Sequence, residues 1–325
     1  MQSRRVFSLL ARAAVSSACV AALWACKSQP ASAPTEGGEP ATPAPAVAEP
    51  TTPVAAEAAE PAAQHPVAKP FLWEVTRGEA TSYLFGTIHT RYQLRDLPAS
   101  VRERLDAAAT LVVETDVSSL SPTAVIQLAM LPPEQSLRTM LGDEDWNKLV
   151  GEVGEFMPAV ALERLQPWFA ALLVSLGEAA MASPDQVMDM QILARARAAD
   201  KRVVFLEDAQ EQLEILGQTG DLESLKEMLA DLDKVHRLLD EVLDAYGRGD
   251  LDTLAEASLD PEEMKKRPEV FEKLFFARNR AWVESLDPLL AKGGVFVAVG
   301  AGHYVGDRGL VALLSAAGYE LRRVE

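Results

Sequence analysis

Three short apolar runs govern what this chain can fold into. They are Leu111-Val112-Val113, Val203-Val204-Phe205-Leu206 and the stretch 294–299, and each stops abruptly at acids or at glycine. Runs of that length suit strands covered on both faces. Between them lie long helical patterns, 121–200 and 209–290, the first broken near Pro132-Pro133, Pro158 and Pro184. Two β-rich runs, 71–76 and 82–87, flank Arg77-Gly78-Glu79-Ala80 and predict a hairpin. A helix is expected from Pro98 to about Ala109, another from Ser121-Pro122, a third over 306–317, and a last strand over 319–324. Few strands among many helices indicate an α/β domain, with α+β as the alternative, built on a covered central sheet with large helical insertions. Leu222, Leu225, Leu229, Leu232, His236, Leu239 and Leu243 step by three and four, as one long helix would. That stripe is expected to pack on the domain's own core, with His236 a half-buried packing residue.

The domain is expected to occupy 71–325. Residues 1–26 carry Arg4, Arg5 and Arg12, an apolar run and Cys26, which is an export-signal pattern. Ser3-Arg4-Arg5-Val6-Phe7 resembles a twin-arginine signal, and Leu23-Trp24-Ala25-Cys26 resembles a lipoprotein cleavage box. Residues 27–70 hold ten of the chain's twenty prolines and read as an extended spacer, His65 included. Export to a bacterial envelope with a lipid anchor in the membrane is the resulting expectation. The total charge is −17, and 71–325 alone carry that much, since the two leading segments cancel. Such a domain repels phosphate backbones, so nucleic acid is not an expected partner. Both cysteines, Cys19 and Cys26, fall in the leader, so the domain has neither a disulfide nor a thiolate metal site.

The chemistry is carried by a local pattern that occurs twice. Ser82-Tyr83-Leu84-Phe85 runs into Gly86-Thr87-Ile88-His89, and 294–299 run into Gly300-Ala301-Gly302-His303. Each is a strand ending in Gly-x-x-His, where glycine permits a tight turn or a close neighbour. Strand ends are where open sheets bind ligands. The alternative is that each histidine only satisfies local backbone. Carboxylates follow the other two runs: Glu114 and Asp116 after one, Glu207 and Asp208 after the other. A carboxylate beside imidazoles ligates a divalent ion or activates water. Helix capping or a solvated loop is the competing role, weakest for Glu114, which abuts its run directly. Arg278 shares a helix face with Phe271, Leu274, Phe275 and Trp282. A guanidinium on a core-facing stripe calls for an anion: a site carboxylate, a substrate carboxylate or a developing oxyanion.

LFGTIH at 84–89, VVETD at 112–116, DMQILARARAADKRVVFLEDAQEQ at 189–212, Arg278-Asn279 and VGAGHYVGDRGL at 299–310 together resemble the TraB/GumN family, relatives of TIKI-type metalloproteases. Met188 before Asp189 departs from the pattern, where glycine is frequent, and Asp189 is carried over with that departure. The resemblance implies an α/β domain with two sheet-centred halves and the site between them. It further implies divalent-metal-dependent peptide hydrolysis with manganese or cobalt, and kinship with erythromycin-esterase-like hydrolases that activate water without an obvious metal.

The expected function is therefore an envelope-tethered hydrolase acting on a peptide or small molecule. His89, His303 and Glu114 are the expected ligands of manganese, cobalt or zinc. Glu114 or Glu207 would take the proton, and Arg278 would steady the oxyanion. The alternatives are a metal-free esterase or amidase, and a non-catalytic lipoprotein that binds a peptide or cofactor.

Overall fold

The computed structural model describes residues 63–116 and 119–324. The leader and most of the spacer lie outside the described residues. The spacer's last residues, from 63 on, are bonded to the domain. Asp96 accepts from the backbone N–H groups of Gln64 (2.7 Å) and His65 (3.0 Å), and Val67 is buried. His65 meets Tyr92 edge-on.

Six strands form one mixed sheet: β1 (Leu72–Arg77), β2 (Ala80–Thr87), β3 (Thr110–Val113), β4 (Arg202–Phe205), β5 (Val295–Gly300) and β6 (Glu320–Arg323). Their order across the sheet is β4-β3-β5-β2-β1-β6. The strands β4, β3, β5 and β2 are mutually parallel, whereas β1 runs antiparallel to both β2 and β6. The expected halves are thus a parallel and an antiparallel part of one continuous sheet, which share β2. The hairpin closes with Arg77 opposite Ala80, and Gly78 takes the positive φ (63°) that so short a turn requires. Every residue of β5 is buried, as its unbroken apolar run predicts.

The run 203–206 is a different case. It supplies β4, an edge strand whose residues are half-buried or exposed, with Phe205 at 36% exposure. Its apolar composition matches a buried strand because its inner neighbours Val203 and Val204 still pack on the sheet core.

The long connections are helical. Between β3 and β4 the chain builds a lobe with its own core, including Val125, Leu149, Leu162 and Phe169, which Leu213, Leu225 and Leu229 complete from the next connection. The leucine stripe over 222–243 is not one helix. It divides into Leu222–Leu229 and Leu232–Arg248, because Asp231 leaves helical dihedrals and caps the second helix at Lys234 N–H. His236 is exposed rather than half-buried, and its Nε2 lies 2.7 Å from Glu152.

Candidate active site at the ends of the parallel strands

The four parallel strands all deliver a chemistry-bearing residue at their carboxyl ends. Glu207 comes two residues after β4, Glu114 directly after β3, His303 three residues after β5 and His89 two residues after β2. Read across the sheet, the order is Glu207, Glu114, His303, His89. Such an edge is where open α/β sheets hold ligands.

His303 lies in a single 3-10 turn, Ala301–His303, and is buried. Its ring stands between Phe275 and Trp282, with centroids 5.2 and 4.4 Å away. Nδ1 lies 2.6 Å from Asn279 Oδ1. The Asn279 amide nitrogen donates to Arg308 O (3.0 Å), so the amide oxygen faces the ring and Nδ1 donates the proton. Nε2 then presents its lone pair to Arg278 Nη1 at 3.2 Å. Burial, the Arg278 charge and the His89 charge hold His303 well below the usual histidine range, so the ring is neutral.

Arg278 is the hub. Its helix starts as Pro268–Phe271, passes through a π turn at Glu272–Phe276 and continues as Ala277–Leu290. The π turn inserts extra length (Ala277 N–H bonds Glu272 O, five residues back) and resets the phase of everything after it. Nε donates to Glu207 Oε2 (2.9 Å), Nη2 donates to Glu207 Oε1 and to Glu114 Oε2 (2.9 Å), and Nη1 donates to Leu274 O (2.8 Å). The Trp282 ring lies 4.7 Å from the guanidinium carbon. Burial works against the charge, but two carboxylates outweigh it and Arg278 is held above its usual value. Glu207 moves up as well: burial raises it, and Glu114 adds to that against the pull of Arg278.

Glu114 is buried and fully engaged. Oε1 accepts from Gly300 N–H (2.7 Å), and Oε2 accepts from Gln212 Nε2 (2.6 Å) in addition to Arg278. The Gly300 bond ties the end of β3 to the second Gly-x-x-His segment.

His89 forms a second cluster. Its Nδ1 lies 2.6 Å from Asp189 Oδ2, and Thr87 Oγ1 donates to Asp189 Oδ1 at 2.6 Å. Burial pushes Asp189 up, but the His89 charge and the bonds from His89 and Thr87 prevail, and its carboxyl sits below the ordinary value. Asp189 is therefore a carboxylate that accepts from His89 Nδ1–H, which leaves Nε2 as the ring nitrogen turned away from it. The two clusters adjoin through β2 and β5, which pair Thr87 with Gly300. A Cβ built on Gly86 would come within 3.0 Å of Ala301 and Phe71, so glycine at 86 allows the two histidine-bearing segments to touch.

The strand ends thus bring together Glu114, Glu207, Arg278 and His303 in one bonded net, beside His89 with Asp189. Asp116 and Asp208 stay out. Asp116 pairs with Arg197 at the surface, and Asp208 caps the helix Ala209–Thr219. Gln212 and Thr87 carry no signal in the sequence that marks them as site residues. A polar residue in a helix or beside a glycine gives no period by which to find it.

The expected metal set can be tested on this geometry. A cation bridging Glu114 and His303 would have to occupy the position of the Arg278 guanidinium, which already holds Glu114 Oε2 and the His303 Nε2 lone pair. Among the described residues, no group of three or more His, Cys, Asp or Glu is arranged to hold an ion. In this arrangement the residues do not fit a metal.

Comparison with known proteins gives the following. The model of the TraB/PrgY/gumN family matches residues 71–323. The uncharacterized protein YbaP of Shigella flexneri is 28% identical over 247 residues, covering 73% of this chain and 89% of its own length. Metalloprotease TIKI2 of Danio rerio is 24% identical over 311 residues, covering 77% of this chain and 60% of its own length. The metalloprotease TIKI homolog of Nematostella vectensis is 22% identical over 316 residues, covering 78% and 67%. No solved structure matches significantly.

Proposed function

This chain belongs to the TraB/PrgY/gumN family, and from that premise we propose that it is a hydrolase that splits an amide or ester bond, with peptides as the substrate class. The leader and spacer support work at the bacterial cell envelope under a lipid anchor, which globomycin-sensitive processing and loss of membrane association in Cys26→Ala would test.

One observation carries the chemistry: buried His89 has its Nδ1 2.6 Å from the Asp189 carboxylate. His89, oriented by Asp189, takes a proton from the attacking water through Nε2 and returns it to the leaving group. Arg278, whose five N–H groups are held by Glu207, Glu114, Leu274 O and His303, steadies the developing negative charge through its field rather than by a direct bond. Glu114 and Glu207 are spent on Arg278 and on Gly300 N–H, so their part is to hold that cation in place rather than to act as bases. Neutral His303 accepts from Arg278 Nη1 and so helps to hold the guanidinium without adding charge. The test is hydrolysis of a peptide and ester panel. His89→Ala is expected to lower kcat/KM by about 10²–10⁴, and Asp189→Asn to lower it through the wrong ring tautomer. Equal turnover by wild type and His89→Ala would overturn the assignment.

A metal-dependent peptidase is the second reading, favoured by the names of the TIKI relatives. In it His89, His303 and Glu114 would hold manganese, cobalt or zinc, and Arg278 would first have to leave Glu114 and His303. Activity abolished by chelation and restored by one of those ions selects this reading; chelator-resistant turnover selects the first.

A further inference from the structure

A cleft of about 700 Å³ lies between residues 93–102 and the helix Met188–Ala198, which carries Asp189 in its first turn. Both walls follow site residues along the chain. One follows His89 along the chain, and the other begins with Asp189 and turns Met190, Gln191 and Arg195 toward the cleft. Three arginines line it, Arg95, Arg102 and Arg195, in a protein whose net charge is −17.

The three are not equivalent. Arg195 is paired with Asp106 through two bonds of 2.7 and 2.8 Å. Arg102 is fixed as a wall by the carbonyl oxygens of Leu94 and Leu97. Arg95 has no hydrogen-bond or ion-pair partner among the described residues, and its Nε is buried. Asp185 is the acid lining the cleft, and no ion pair joins it to Arg95. The floor is rigid: Gln191 Oε1 accepts from Leu94 N–H (2.7 Å), and its Nε2 donates to Asp185 O (2.6 Å) and Gln93 Oε1 (3.3 Å). A partly buried guanidinium with nothing to pair with costs free energy in the free protein and repays it when an anion arrives. Its planar fork matches a carboxylate, and Leu94 and Met190 give the cleft an apolar wall beside it.

We propose that this cleft is a subsite for a carboxylate of the bound peptide, with Arg95 as its ligand. Calling that peptide a substrate rests on the hydrolase reading; the binding does not. The carboxylate comes either from the peptide's C-terminus or from an acidic side chain. The experiment is calorimetric titration with N-acetyl-trialanine as free acid and as amide, and with N-acetyl-Ala-Asp-Ala-amide against its Asn counterpart. Unmodified protein and the His89→Gln background are both titrated, so that turnover cannot consume the probe. The free acid, or the Asp peptide, is expected to bind at least about tenfold tighter than its uncharged twin. Whichever pair shows the difference identifies the source. Arg95→Gln is expected to abolish the preference, and Arg95→Lys to keep only the part owed to charge. Equal binding within both pairs, a preference that survives Arg95→Gln, or no peptide binding would overturn the proposal. A protein that binds the acid through Arg95 and never hydrolyses a peptide would sink the earlier reading and leave this one standing.

Discussion

At the scale of single residues, the site shows how a buried charge is made tolerable. Arg278 survives in the interior because two carboxylates and a carbonyl surround it. Removing one side of such a net leaves the other side charged and dry. Arg278→Met is therefore expected to cost about 3–5 kcal/mol of unfolding free energy, measured by urea titration. A loss under 1 kcal/mol would mean that the carboxylates had found water or protons instead. A second residue gives a pH signature. The Tyr319 hydroxyl donates to the Asp287 carboxylate at 3.0 Å, and burial, together with that bond and charge, pushes it up to about 12. Its unfolded value is about 10. A group raised on folding contributes fully below its unfolded value and ceases to contribute once pH passes its folded one, so the loss falls between pH 10 and about 12. Tyr319→Phe should flatten the decline in stability over that window, and an unchanged slope would contradict the linkage.

At the scale of elements, two contacts set the distance between the histidine segments: the β2–β5 pairing of Thr87 with Gly300 and the space left at Gly86. Gly86→Ala puts a methyl group 3.0 Å from Ala301 and Phe71. Overpacking of this kind costs about 1–3 kcal/mol, and the wedge is expected to lower kcat more than it raises KM, because it parts His89 from His303. Unaltered turnover at full stability would show that the contact has slack. The same elements show why some of the site was legible beforehand. Glu114, His89 and His303 stand out because each interrupts or closes an apolar run, and Arg278 because it breaks an apolar helix face. Gln212 and Thr87 resemble any solvated polar residue until the fold turns them inward. The π turn at Glu272–Phe276 has no signal either, since five residues of one turn look like five of another. The leucine stripe misled for a related reason. Its period continues across Asp231, so only the cap at Lys234 reveals that two helices share it. The half-exposed β4 deceived because apolar content does not report position in the sheet: Val203 and Val204 pack on the core, but as an edge strand β4 has a neighbour on one lateral side alone.

At the scale of the molecule, the chain supports two principal cores: one around the sheet, and one inside the helical lobe, with Trp73 and Trp282 in the first and Trp146 and Trp168 in the second. Leu173 is fully buried in the lobe. Leu173→Ala is expected to destabilise by about 2–5 kcal/mol, with the loss confined to the lobe. Hydrogen exchange would show it as faster amide exchange over 137–176 with β5 unchanged; uniform acceleration would mean that the two cores melt as one. The sheet itself follows a different logic. Arg323 donates to Pro70 O and Val324 N–H bonds Leu72 O, so the last strand lies alongside the first. In covalent terms the folded body is nearly a ring that happens to have been cut there. Splicing the two strands together and opening the chain elsewhere, within the lobe, should yield a permuted protein with the same pocket, because the pocket's side chains are arranged by neighbours in space and not by the order of translation.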